Sequence, residues 1–101
     1  MFIYNITIKV DTAIVNEWMK WQMEEHIPEI MSSNLFIKYK VFRLLEQDDN
    51  DGSTFVFQYY TSAKTDYDKY IQEYAPVLRD KALKKWGDRF VAFRSLLETV
   101  K

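Results

Sequence analysis

Between Phe2 and Val10 the chain alternates: Tyr4, Ile6, Ile8 and Val10 hold one parity, and Asn5, Thr7 and Lys9 hold the other. A period of two is that of a pleated strand with one buried face. From Ala13 the period lengthens. At 100° per residue Val15, Trp18, Met19, Gln22, Met23, His26 and Ile30 share one broad face, with Asn16, Glu17, Lys20 and Glu24 opposite, which predicts an amphipathic helix. Asp11 or Thr12 offers the side-chain oxygen to cap it. Pro28 has no N–H to donate and disfavours helical geometry at Ile27, so the helix is expected to break near His26, with one further short turn ending about residues 32–34.

A long strand is expected over Leu35 to Glu46. Leu35, Ile37, Tyr39 and Val41 keep one parity and Phe42 and Leu44 take the other, so a bulge near Val41-Phe42 is the simplest reading. Asp48 to Ser53 reads as an acidic hairpin loop with Asp-Gly turn chemistry, followed by a strand from Thr54 to Thr61. Ser62 or Thr65 can cap a second helix whose stripe is Tyr67, Tyr70, Ile71 and Tyr74. Pro76 interrupts that helix, and the period resumes through Leu78, Ala82, Leu83 and Trp86 to a terminating Gly87. Arg89 to Val100 is the last strand.

The order β-α-β-β-α-β predicts the α+β class: one ferredoxin-like domain over residues 1–101, a four-stranded antiparallel sheet with both helices on one face. The other face would be bare, yet both parities of the strands carry apolar groups. Phe55, Phe57 and Tyr59 oppose Val56 and Tyr60, and Phe90, Ala92 and Leu96 oppose Val91, Phe93 and Leu97. A homodimer pairing open sheet faces is therefore expected, a dimeric α+β barrel.

Composition narrows the chemistry. The chain has 101 residues, 17% of them aromatic, with a formal net charge of −1 and no cysteine. Disulfides, thiolate nucleophiles and cysteine metal sites are excluded, and a polyanion such as nucleic acid is not an expected partner. No apolar run approaches the roughly 20 residues of a membrane helix, and the N-terminus lacks the basic region of a signal peptide, so no membrane association and a cytoplasmic location are expected. No Gly-x-Ser-x-Gly elbow or glycine-rich phosphate loop is present, and the acidic loop lacks the spaced glutamate of a calcium site.

What remains is His26, the single histidine, at the break of the aromatic helix. It alone could carry a proton near neutral pH, with the helix end favouring its cation and burial its neutral form. The alternative is an imidazole packed in the core and bonded to backbone. Arg43 and Arg94 lie in otherwise apolar strand stretches, where either could hold an anionic group or instead join a salt bridge between subunits. Tyr4, Tyr59, Trp18 and Trp21, with Gln22 one turn before His26, are candidate ligand contacts that core packing also explains. Asn5 and Gln58 could add polar groups on the sheet.

Ile3-Tyr4-Asn5, Trp18-x-x-Trp21, Glu25-His26-Ile27-Pro28-Glu29, Tyr74-Ala75-Pro76 and Gly87-Asp88-Arg89-Phe90-Val91-Ala92-Phe93-Arg94 together resemble an uncharacterised family of small bacterial proteins, domain of unknown function family 4286. The resemblance covers essentially the whole chain and extends to the dimeric α+β barrel superfamily. That superfamily includes cofactor-free oxygenases, haem-degrading enzymes, lactone isomerases and ligand-sensing domains, so it implies a fold and a dimer without choosing a function. Several of its members carry His-x-Pro near the end of the first helix with the imidazole facing a cavity, a pattern that His26 and Pro28 match. Two readings follow. The dimer binds a small hydrophobic or aromatic molecule between helix and sheet, or the same pocket is a cofactor-free enzyme of oxygenase or isomerase type with His26 as general acid/base and Arg94 or Arg43 as its anion partner. Neither reading requires a cofactor or a metal.

Overall fold

The computed structural model describes residues 1–101 and carries the β-α-β-β-α-β order. Strand β1 (Phe2–Asp11) leads through α1 (Val15–Trp21), a π-helical turn (Gln22–His26) and α2 (Ile27–Met31) to β2 (Lys38–Arg43). After β3 (Gly52–Thr61) come α3 (Lys64–Glu73), α4 (Ala75–Trp86) and β4 (Phe90–Glu98). The four strands form one antiparallel sheet in the order β2-β3-β1-β4. Each helical connection therefore joins two strands separated by one other, the interlocked split β-α-β of a ferredoxin-like domain. No helix is long and apolar enough to cross a membrane.

Register decides which side chains meet the helices. Tyr4 lies opposite Tyr59 and Leu96, Ile6 opposite Phe57 and Arg94, and Ile8 opposite Phe55 and Ala92. Because side chains alternate across a strand, these rows form one face. It is the covered one: Tyr4, Ile6, Ile8, Val10, Phe57 and Tyr59 are buried together with Trp18, Ile27, Ile30, Tyr70 and Leu78 from the helices. Trp18 meets Phe57 edge-on at 5.8 Å, and Tyr70 meets Phe36 in the same way at 5.0 Å. Aromatic edges and faces in this arrangement attract beyond their burial.

The opposite face has a polar centre. Asn5 lies across from Gln58 and Ser95; Gln58 Nε2 donates to Asn5 Oδ1 at 3.1 Å, and the Tyr60 hydroxyl donates to Gln58 Oε1. Around this centre Phe42, Val91, Phe93 and Leu97 are exposed. The expected apolar face is thus an apolar surround with a self-satisfied polar middle.

Three local expectations change. The first helix does not break at Pro28: it widens into the π turn before it, and Pro28 then sits in the first turn of α2, where its missing N–H costs least. The extra residue in that turn rotates everything after it. Met23, expected inward, is exposed, while Ile27 is buried; Trp21, ahead of the turn, is buried as well. Strand β2 is shorter than expected and has no bulge. Its register runs unbroken from Lys38 opposite Tyr60 to Arg43 opposite Phe55, and Leu44 and Leu45 lie beyond it. The change of parity marked an edge strand with apolar groups on both sides, which also hid Phe36 as a core residue. Neither helix layer takes a side-chain cap from the residues expected. The Asp11 carboxylate instead accepts from the Ala13 N–H at 3.0 Å in the preceding turn, and the second layer starts at Ala63 without a cap bond.

Candidate functional site

The π turn positions the site. Its signature is the Ile27 N–H donating to the Gln22 carbonyl, five residues back. Such widened turns arise where one extra residue is held by surrounding packing, and they recur at functional sites. The turn buries Gln22, leaves Glu24 and Glu25 in solvent and delivers His26 half-buried at its end. His26 does not cap the turn that follows it. Its ring stacks on Trp21 at 4.7 Å with 23° between planes, so indole holds one face of the imidazole and the ring edge points elsewhere.

That edge contributes to a cavity between the helices and the sheet. Trp18, Gln22 and His26 line it from the first helical layer, Tyr4 and Tyr59 from strands, and Arg94 from β4. The cavity volume is about 30 Å³, and most of its walls are hydrophobic. That is room for a water molecule or a small polar head group and not for an aromatic ring. The inner aromatic groups consequently pack on one another: Tyr4 and Tyr59 are each 2% exposed or less.

Of the sequence candidates, His26, Arg94, Trp18, Gln22, Tyr4 and Tyr59 line this one cavity. Trp21 stands behind His26 as its stacking partner and outside the lining. Arg43 lies at the far side of the sheet on β2, exposed, with its Nη2 donating to Asp49 Oδ2 at 3.0 Å in its own acidic loop. Asn5 and Gln58 are on the open face and do not reach the cavity.

Two groups come into the site that the pattern had not marked as chemical. Tyr70, expected as core, lines the cavity, and so does Arg79 of α4. The Arg79 Nη2 donates to the Tyr4 hydroxyl at 3.0 Å, while its Nε is buried without a partner. The periodicity did contain the signal. Ala75, Leu78 and Ala82 are the buried stripe of α4, and position 79 falls between them on the same face. An arginine on an apolar stripe is the anomaly that identifies it.

Electrostatics separate the groups. Burial pushes the His26 pKa down from 6.5 to about 4; nearby Glu29 opposes this, while the positive charges of Arg94 and Lys81 reinforce it. Burial therefore outweighs the helix end, and the imidazole is neutral at pH 7. Burial also pushes Tyr59 well above the usual phenol range, with the neighbouring phenols Tyr70 and Tyr4 adding to it, and raises Tyr70 for the same first reason. These phenols stay protonated at neutral pH. No aspartate or glutamate lines the cavity, and Glu29 is held by Lys81 at 2.9 Å. The site is thus an apolar chamber with two guanidinium groups, neutral phenols, an amide and a neutral imidazole.

Residues 1–100 match the family described as Domain of unknown function (DUF4286). The chain belongs to this family. No curated protein matches it significantly. Among solved structures, DUF4286 as seen in this chain is similar to a dimeric ferredoxin-like protein from an uncultured marine organism, at 17% identity and a TM-score of 0.69, covering 100% of this chain and 96% of that one. It is similar to an ethyl tert-butyl ether D family protein from Bacillus halodurans at 13% identity and a TM-score of 0.67, covering 99% and 100%. It also resembles SnoaB, a cofactor-independent oxygenase from Streptomyces nogalater, at 8% identity and a TM-score of 0.63, covering 99% and 94%. At these identities the likeness establishes the ferredoxin-like fold of this DUF4286 chain, and its chemistry has to be argued from its own residues.

Proposed function

We propose that this DUF4286 protein is a cytoplasmic homodimer, paired through the open sheet face, that binds a small organic molecule at the cavity between helices and sheet. The observation that carries the reading is the convergence of His26, Gln22, Arg79 and Arg94 on one apolar chamber. Ligand sites are concave and largely hydrophobic with a few polar groups placed to orient the ligand, and this chamber has that composition. Its small volume means that only a head group enters; the body of any ligand has to lie outside or displace a wall.

His26 serves this binding reading as a neutral acceptor or donor aimed at the head group. The catalytic reading, with His26 as general acid/base, has one observation in its favour: an imidazole near the Arg94 charge in a largely apolar cavity. A pKa of about 4 opposes it, because a base that weak takes a proton at pH 7 only from a correspondingly acidic donor. Binding without turnover is therefore preferred. An NMR pH titration of the single imidazole, repeated with quinones, haem and aromatic acids, tests the proposal. Resonances that move with one of these compounds while the imidazole stays neutral to below pH 5 are the expected result. An imidazole that titrates near 6.5 and ignores every compound would overturn the site.

A further inference from the structure

The two guanidinium groups of the chamber lack any carboxylate. Six ion pairs link the charged side chains of the chain, and neither Arg79 nor Arg94 takes part in one. Arg79 satisfies a single N–H through the Tyr4 hydroxyl and leaves its Nε buried and unbonded. A buried donor on a charged group is costly to leave unpaired, and a guanidinium presents paired donors matched to the two oxygens of a carboxylate.

A second concavity gives this pair its context. A groove of about 330 Å³ runs between α4 and the edge strand β4, floored by Leu83, Phe90, Val91 and Ala92, and Arg79 and Arg94 line it too. Arg79, Phe90 and Arg94 thus belong both to the inner chamber and to the outer groove. The chamber admits a head group and the groove is of a size for a small apolar body. Leu83 is exposed in the groove, apolar surface that such a body would cover, while Val91 borders it through the edge strand and turns its side chain to the open face.

Resting on the binding site proposed above, we infer that the ligand is a hydrophobic carboxylic acid: its apolar body lies in the α4–β4 groove and its carboxylate is clamped by Arg79 and Arg94 at the mouth of the chamber. Arg79 supplies the free Nε–H, Arg94 the second positive charge, and the Tyr4 hydroxyl holds Arg79 in place. The chamber behind the carboxylate keeps room for a bridging water between it and His26.

Naphthoate and naphthamide, equal in shape and different in charge, separate the possibilities when titrated into the whole protein by tryptophan fluorescence and by the His26 imidazole signal. Naphthoate is expected to bind at least ten-fold more tightly, with an affinity that falls with added salt. Arg79→Met and Arg94→Met should each weaken naphthoate by roughly ten- to a hundred-fold and naphthamide by much less, so that the preference for the acid is lost. Arg79→Lys, which keeps the charge and loses the fork, should fall between and guards against a methionine variant that does not fold. Equal binding of the two compounds, indifferent to both substitutions, would overturn the acid inference and leave the cavity reading standing. Failure of both compounds to move either signal at millimolar concentration would overturn both. Variants that alter the sedimentation of the protein but not naphthoate affinity would instead make the arginines partners of a carboxylate on the second subunit, which also overturns the inference.

Discussion

His26 combines a fixed ring, held on Trp21, with a charge state set by burial. Its folded pKa of about 4 lies below the 6.5 of the free side chain, so the folded state binds fewer protons than the unfolded state between those values. Unfolding therefore gains free energy as pH falls through that window: stability is complete above about pH 6.5, declines down to about pH 4 and loses nothing further from this group below it. The shift corresponds to about 2–3 kcal/mol, after allowing for partial exposure. Urea unfolding of the parent and of His26→Gln at a series of pH values isolates this contribution. The difference between the two should shrink or reverse by that amount from pH 7 to pH 4, and a difference that stays flat would show an imidazole that does not titrate out of register. The same residue shows how far sequence reaches. Its place on the helix just ahead of Pro28 was legible because periodicity is local, although the helix runs on through a π turn; its charge was not, since it is set by burial and by the cations Lys81 of α4 and Arg94 of β4.

At the scale of elements the two glycines separate two physical effects. Gly52 begins β3 opposite Asp11, and a Cβ there would lie 2.6 Å from the Val10 carbonyl oxygen. Gly87 has open space around the same atom, but its φ of 63° and ψ of −134° form a combination nearly confined to glycine. Gly52→Ala should cost about 1–3 kcal/mol through displacement of β1 and β3. Gly87→Ala should cost a similar amount purely in backbone strain. Asparagine discriminates them further: it tolerates the left-handed helical region, but at ψ −134° that tolerance is no help, so Gly87→Asn should be no milder than Gly87→Ala in thermal or urea unfolding. The Gly87 position was readable from the sequence because a glycine ending an apolar helical stripe has one common use. The strand order followed from element order alone. The π turn was not readable: a period of 3.6 extrapolated through Pro28 assumes constant pitch, and one inserted residue cancels the proline's break while rotating Met23 out and Ile27 in. Likewise Arg79 was passed over because an apolar stripe is read for its hydrophobic members, although the charged exception was the informative one.

The whole molecule leaves a sheet face whose apolar groups are concentrated on β4, with Phe93 69% exposed and Val91 54% exposed, and with Phe42 alone on β2. Burying that face would also bury Asn5, Gln58 and Tyr60, and their mutual hydrogen bonds remove most of the penalty for doing so. A two-fold dimer places this one patch against itself, which needs no second partner and no complementary charge. The proposed pairing makes Phe93→Asp a clean test, because the side chain touches solvent in the single subunit. In a monomer the change should alter stability by no more than about 0.5 kcal/mol. In a dimer it sets two carboxylates into an apolar contact and should convert the species to monomer at micromolar concentration. Sedimentation velocity over a concentration series, with circular dichroism to confirm that the fold persists, reads both quantities at once. Dimers that survive the substitution unchanged would move the interface off the open face. Loss of the fold together with the dimer would mean that the sheet depends on being covered. In that case the cavity on its other side, whose floor is strands β1, β3 and β4 of the same sheet, would be shaped by the partner as well, and ligand affinity would rise with protein concentration.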